Sequence, residues 1–517
     1  MREIARPYLT IRNKINSTGE LYYDAEEIAT DDQIKSYNKD LDSWERGNGY
    51  QIKIEDGLAY IEEYETTTIQ ILHKLKALSA IGNEGQQSLN NLFLKQHKDT
   101  IRDNLKEDAL KTVFVHSRVL MIYGAAGTGK TTLMNYISNL MGGHSKLFLA
   151  KTHTALQNLK RRIDNPGPNH QFMSLDSYIR RKKPGQFSII FVDECSIIDN
   201  RSMLQFIRQL PDNAFLVLAG DIHQIESIEF GNWFFYAKGI ITAPGAQIEL
   251  LSTWRTEDEN LLSLWDEVRT RKELITEKLV IDGPFSEDLG PNIFNRADPD
   301  EVVLCLNYDG KFGLNNMNAF FQNANSNSDC VIWQEWRFKA GDPILFIDTK
   351  RFPELYNNLK GRIVCIEKNE TSIAFTVDAE RILTMADCAG TELEYIDSFE
   401  SSTRIRFTVY DFNAAPLEEG DDQSLETAKM RAVIPFQLAY AVSIHKAQGL
   451  EYNSVKVVIP SSNSEQITHG VFYTAITRSK QHLKIYWSSE TMQEIVKSFY
   501  QEKSSQRSLE IVKTKLQ

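Results

Sequence analysis

Cysteine is scarce in this chain: five among 517 residues. Cys195, Cys305, Cys330, Cys365 and Cys388 lie far apart and form no CxxC pair, which points away from both a zinc site and a disulfide framework. No run of about 18 apolar residues occurs, so no membrane span is expected. The start, Met1-Arg2-Glu3-Ile4-Ala5-Arg6-Pro7, lacks the apolar core of a secretory signal. A reducing cytoplasm is the compartment these absences imply. Positive charge does not dominate either: 58 Lys and Arg stand against 70 Asp and Glu, a net charge of −12. That balance argues against coating nucleic acid through an overall field, while leaving room for a local basic groove. There is no internal repeat or long low-complexity tract, and no carboxylate spacing suggests a nuclease centre.

What is present is ordinary for a globular protein, with 42% apolar and 25% charged residues and length for about two to four domains. Residues 1–105 are polar and acid-rich and carry no chemical motif. Within them Tyr50–Ile61 reads as strand, turn and strand, and Ile69–Leu78 repeats apolar residues at helical spacing. This region is expected to be an accessory or partner-docking arm, or else a structural extension. From Arg118 the texture changes. Val119–Tyr123, Leu147–Ala150, Ser188–Val192 and Ala214–Ala219 are short continuous apolar runs separated by helical stretches, the pattern of buried parallel strands. A second such block begins near Val302–Leu306 and resumes at Val455–Pro460 and His482–Trp487. Between its parts, roughly 335–415, lie alternating β-type segments such as Arg404–Tyr410. The acidic stretch Leu417–Asp422 follows and reads as a solvated linker.

Two elements carry chemistry. Gly124-Ala125-Ala126-Gly127-Thr128-Gly129-Lys130-Thr131-Thr132 fits GxxxxGK[ST], directly after an apolar strand and before a helical run. Its glycines let successive backbone N–H groups turn toward an anion, and the following helix adds its N-terminal dipole. Lys130 is expected to reach the β- and γ-phosphates of a nucleoside triphosphate, and the Thr131 hydroxyl to ligate Mg²⁺. At the end of another apolar strand, Asp193 is expected to hold the Mg²⁺ through water. Glu194 is expected to orient and deprotonate the attacking water.

Further motifs, in order, resemble those of superfamily 1 helicases, most closely their RecD-like, 5′-to-3′ branch, over about residues 105–490. Leu149–Ala155 resembles the segment after the second strand that grips single-stranded DNA. Gly220-Asp221-Ile222-His223-Gln224 resembles GDxxQ, whose Gln contacts the γ-phosphate. Leu250–Arg255 is similar to the motif that supplies an arginine to the nucleotide. Gln437–Glu451, containing His445-Lys446-Ala447-Gln448-Gly449, is close to the TVHKxQGxE element, and Tyr473–Lys480 resembles YTAxTRA, with Arg478 as arginine finger. The resemblance implies an α/β fold with two RecA-like P-loop cores in tandem. The first spans 106–285, and the second spans 286–336 and 413–495. A small SH3-like β-barrel (337–412) is inserted in the second core, and a tail follows at 496–517. It also implies that Gly449 lies at the nucleotide, and that Thr152, His153, Thr154, Ser174, His445, Lys446 and Gln448 meet the nucleic acid.

The expected activity is Mg-ATP-driven translocation or strand separation on single-stranded DNA. An RNA helicase of the same superfamily, and a regulatory ATPase subunit that docks a partner such as a nuclease through the N-terminal region, remain open alternatives. Repair, recombination or antiviral defence are the roles the resemblance implies. The chain departs from the family in four places, one of them Cys195, which stands where the family has a small residue after Asp-Glu and reads as a buried packing choice. Arg180-Arg181-Lys182-Lys183-Pro184-Gly185 replaces a longer strand-separating hairpin, so weak duplex splitting is expected without a partner. No adenine-reading Gln is clearly placed, Gln96 being the nearest. Ile225-Glu226-Ser227 replaces the usual Pro-Pro after GDxxQ.

Overall fold

The computed structural model describes the chain except residues 1–3, 102, 165–166, 182–184, 226, 228, 283–284, 297, 328–329, 348–349, 353, 416–423, 463–466 and 502–505. The middle of the basic turn at 180–185, the acidic linker at 417–422 and Glu226 therefore lie outside the described residues.

The apolar runs of the first block become one parallel sheet. Strands His170–Ser174, Lys146–Ala150, Ile189–Asp193, Phe215–Gly220, Val119–Gly124 and Gln247–Leu250 lie in that order. Helices cover both faces, so most of the strand interiors are apolar at successive positions instead of alternating. The second block forms a parallel sheet ordered Ser286–Glu287, Ser479–Tyr486, Tyr452–Val458, Glu301–Cys305, Ala441–Ser443.

Between Glu301–Cys305 and Ala441–Ser443 the chain makes an antiparallel sheet of six strands. Their order is Glu394–Ser398, Thr403–Tyr410, Ser372–Ala379, Lys360–Lys368, Pro343–Phe346, Phe436–Leu438. Its core is aromatic, with Phe338, Phe346, Phe375, Phe407 and Phe436 in mutual ring contact. The last strand lies beyond the expected boundary at 412. It pairs with Pro343–Phe346, which satisfies that strand's outer backbone groups before the chain re-enters the second core. Among the described residues the two end strands do not pair with each other, so the expected barrel is an open sheet here.

Three other boundaries move. The expected N-terminal arm is not free. Its helix Glu62–Ser79 lies against helices Asn200–Arg208 and Trp233–Ile240 of the first core. Ile71, Leu72 and Leu75 are fully buried in the same apolar cluster as Val119, Leu147 and Val192. Tyr64 stacks on Phe230 with centroids 4.6 Å apart, and buried Asn200 donates to Thr68 Oγ1 at 2.7 Å. The helix has an apolar stripe that needs a partner, and the outer face of the first core supplies it.

Helices Gln86–Gln96 and Asn104–Thr112 pack in the cluster on the opposite face, with the helix that follows the phosphate loop. They too belong to the first core, so the break at 105 does not hold. Helix Glu259–Thr270, expected in the first core, instead buries Leu261, Leu264 and Trp265 with residues of the second. Trp265 Nε1 donates to the Ile476 carbonyl at 3.1 Å. The expected tail is also structured. Ile495 and Phe499 join the second core, and helix Gln506–Lys515 returns to the N-terminal region, where Ser508 Oγ accepts from Leu21 N–H at 3.1 Å.

Candidate nucleotide and nucleic-acid site

Both sheets direct the C-terminal ends of their strands toward one cleft, where loops rather than strands carry the side chains. The phosphate loop leaves Val119–Gly124 and enters helix Lys130–Leu140. Gly127 and Gly129 have φ of 79° and 84°, which side chains rarely adopt. A Cβ on Gly127 would lie 2.6 Å from Arg255 Cβ, and Trp254 N–H donates to the Gly127 carbonyl at 2.8 Å. The loop is thus clasped by the segment that carries Arg255. Thr128 Oγ1 closes the turn on the Ala125 carbonyl at 2.9 Å. Lys130 Nζ donates to the Gly124 and Ala125 carbonyls, each at 2.9 Å, and burial lowers its pKa, against the pull of Asp221 and Asp193.

Thr131 Oγ1 lies 3.5 Å from Asp193 Oδ2. A hydroxyl and a carboxylate side by side are hard oxygen donors suited to Mg²⁺, which keeps several of its own waters. These residues therefore fit the ion. Burial raises the Asp193 and Asp221 pKa values. Burial, helped by neighbouring Asp193, pushes the Glu194 carboxyl up to about 7. Glu194 itself sits in left-handed backbone, φ 55°.

A cavity of about 440 Å³ opens beside the loop, bounded by Thr100, Asp103, Lys106, Gly129, Thr132 and Trp254. Lys106 pairs with Asp103 at 2.6 Å and leans over Trp254. Gln96 does not line this cavity. Lys106, Asp103 and Trp254 were absent from the sequence-based site, because nothing in a lone Asp-x-x-Lys spacing distinguishes it from an ordinary helix start.

The second core closes the cleft. The Arg255 guanidinium reaches the Thr477 carbonyl and Glu451. Glu451 also faces Arg162 and Lys480. Burial raises its pKa, but Arg255 and Arg162 outweigh that and hold it at about 2. Glu451 stood within a quoted motif but was assigned no role. Arg478 is 3% exposed and donates to the Thr474 carbonyl at 2.9 Å and Thr477 Oγ1 at 3.2 Å. Burial lowers its pKa to about 10, with Arg255 adding to the effect. A Cβ on Gly449 would lie 3.4 Å from Glu194 Oε1, which places the second core against the first core's acidic pair. After Gln224, the Ile225 N–H donates to Thr474 Oγ1 at 2.9 Å, tying the GDxxQ loop to the second core.

The residues expected at nucleic acid divide into two groups. Thr152 caps helix His153–Arg162, and His153 beside it is exposed. His445 is exposed too, while Lys446 Nζ donates to Gln437 at 2.7 Å and Gln448 is half-buried. Thr154 and Ser174 are buried. Thr154 donates to the Asn357 carbonyl of the inserted sheet at 3.1 Å, and Ser174 shares a proton with Ser177 at 2.7 Å. As folded here, these two hydroxyls serve internal contacts.

Residues 106–279 match a profile described as an AAA domain, and 438–486 match the UvrD-like helicase C-terminal domain. The chain is 19% identical over 468 residues to the RecBCD enzyme subunit RecD of Buchnera aphidicola, covering 78% of this chain and 75% of that one. It is 20% identical over 383 residues to the ATP-dependent RecD2 DNA helicase of Deinococcus radiodurans, covering 70% of this chain and 46% of that protein. The crystal structure of Pif1 helicase from Candida albicans aligns with TM-score 0.45 and 15% identity, over 78% of this chain and all of that one. Among the described residues no helix is long and apolar enough to cross a membrane. The chain is similar to RecD-like superfamily 1 helicases along most of its length, and these matches support an ATP-hydrolysing enzyme of the helicase class.

Proposed function

We propose that the chain is a motor on single-stranded DNA, moving 5′ to 3′ as Mg-ATP is hydrolysed in the cleft between its two parallel sheets. One observation carries this reading. The acidic pair and phosphate loop of the first sheet meet Gly449, Glu451 and Arg478 of the second in one cleft, so closure around nucleotide and displacement of the cores are the same motion.

In this scheme Lys130 exchanges its two loop carbonyls for phosphate oxygens. Thr131 and Asp193 would hold Mg²⁺, which would supply positive charge to neutralise the phosphates. Glu194 aligns the attacking water, while Gln224 and Arg255 border the γ-phosphate. Arg478 adds positive charge from the second core where negative charge develops. Trp254 and the Lys106–Asp103 pair flank the space left for the base. The strand is proposed to cross Thr152 and His153 of the first core and His445, Lys446 and Gln448 of the second. The inserted sheet, in the role of an SH3-like cover, lies over Thr154.

The test is hydrolysis and strand displacement on 5′-tailed, 3′-tailed and blunt substrates with DNA and RNA strands. Stimulation by DNA above RNA and displacement only from 5′ tails are expected. Equal stimulation by RNA, or displacement only from 3′ tails, would refute the substrate or the polarity.

A further inference from the structure

Thr152 and Glu194 stand on neighbouring strand ends. Ala150 and Asp193 are register partners in adjacent parallel strands, so the residues just beyond them lie side by side. The Thr152 hydroxyl has one proton, and in this structure it goes to Glu194 Oε2 at 3.2 Å. Thr152 Oγ1 itself accepts the Ala155 N–H at 3.1 Å and thereby caps helix His153–Arg162.

Sheet order gives this bond a direction. The strand bearing the phosphate loop lies on one side of Ile189–Asp193, beyond Phe215–Gly220, and the strand leading to Thr152 lies on the other. A carboxylate oxygen held by Thr152 is drawn away from the phosphates. It also spends a lone pair that a general base needs for water.

We propose that Thr152 is a positioning residue that parks Glu194 off its water until an acceptor oxygen on the bound strand takes the Thr152 proton. This rests on the reading of Glu194 as the water-aligning residue and of the Thr152–His153 corner as part of the strand path. The hydroxyl then reports occupancy of the track to the ATP site through one bond, without any movement of the sheet. Phosphate contacts of this kind are independent of base sequence, so the device responds to the presence of a strand.

The test compares native protein with Thr152→Val, Thr152→Ser and Glu194→Gln, measuring kcat and KM for ATP with and without saturating oligo-dT. Thr152→Val is expected to raise the strand-free kcat by about three- to ten-fold, the net worth of one hydrogen bond. KM should stay within about two-fold, because a parked base affects the chemical step and not ground-state binding. The ratio of stimulated to strand-free rate should fall by the same factor, and Thr152→Ser, which keeps the proton, should restore it. A residue with a merely structural role would lower both rates on removal. If loss of the cap, worth ~1 kcal/mol, unfolds the Val variant, Thr152→Gly removes the hydroxyl at a smaller cost to the cap and is read the same way. An unchanged or lowered strand-free kcat in a folded Val or Gly variant, with Glu194→Gln inactive, overturns this proposal alone. Native hydrolysis by Glu194→Gln overturns the assignment of Glu194 and the proposal with it.

Discussion

Replacing Leu72 by Ala perturbs the junction between the first eighty residues and the ATP-binding sheet. Leu72 is fully buried, in one apolar cluster with Val119 and Val192 of that sheet. Truncating a buried leucine removes transfer energy and leaves a cavity, together about 2–5 kcal/mol. A domain's whole stability is about 5–15 kcal/mol, so the loss is a large fraction of it. At about 2–4 °C per kcal/mol for a unit of this size, a loss of ~3 kcal/mol lowers the melting temperature by roughly 6–12 °C. The assay is a melt followed by calorimetry, with and without a non-hydrolysable ATP analogue. The nucleotide marks which transition belongs to the first core, because it stabilises only the unit that binds it. The reasoning requires the Leu72→Ala shift to fall on that nucleotide-protected transition. A separate small transition that moves alone, with the protected one unchanged, would mean that the N-terminal region is a detachable arm, and would refute the reading.

Lys130→Ala should abolish ATP binding and hydrolysis without lowering the melting temperature, because the buried ammonium is balanced only by loop carbonyls and nearby carboxylates; loss of fold, followed by circular dichroism, would count against its role. Lys456→Met should cost about 3–5 kcal/mol in urea unfolding, since it removes the cation that neutralises Glu301, whose side chain is 1% exposed and pairs with Lys456 at 2.8 Å while also accepting from Ser454 Oγ at 2.9 Å. Adding Glu301→Leu should recover most of that loss. Burial holds His223 and His469 down to about 3 and about 4, against about 6.5 in an unfolded chain. Below pH 6.5 the unfolded state therefore binds protons that the folded state refuses, so their contribution is intact at neutral pH and declines as pH falls toward 4. Urea midpoints at pH 7, 6 and 5 should decrease in that order, and His223→Gln should flatten the slope. Gly127→Ala should weaken nucleotide binding at least ten-fold by equilibrium titration, because its Cβ would meet Arg255 in a backbone region that only glycine enters readily.

The phosphate loop, the acidic pair and the alternation of buried strands were legible in the sequence for a local reason. A parallel strand covered on both faces writes a continuous apolar run. A phosphate-binding turn needs glycine at positive φ, and here Gly127 and Gly129 supply it. These features depend on neighbours a few residues away. Helix Glu62–Ser79 was legible as amphipathic for the same reason, as was the strand pair inside Tyr50–Ile61.

Which surface each amphipathic face meets was not written there. A stripe of leucines states that a partner exists, not which one. So Glu62–Ser79 was expected in an arm and is buried on the first core, and Glu259–Thr270 was expected in the first core and packs in the second. The same holds for charge. Glu451 is one carboxylate among many until folding sets Arg255, 196 residues away in sequence, against it. Thr152 and Glu194 become a pair only because their strands are register neighbours. The sequence by itself determined the strands, the turns and the chemistry of the phosphate site, since each is encoded by periodicity or backbone conformation. Only the tertiary structure decided the partners of each face and the proton of Thr152, because those are set by contacts between segments whose spacing in sequence carries no signal.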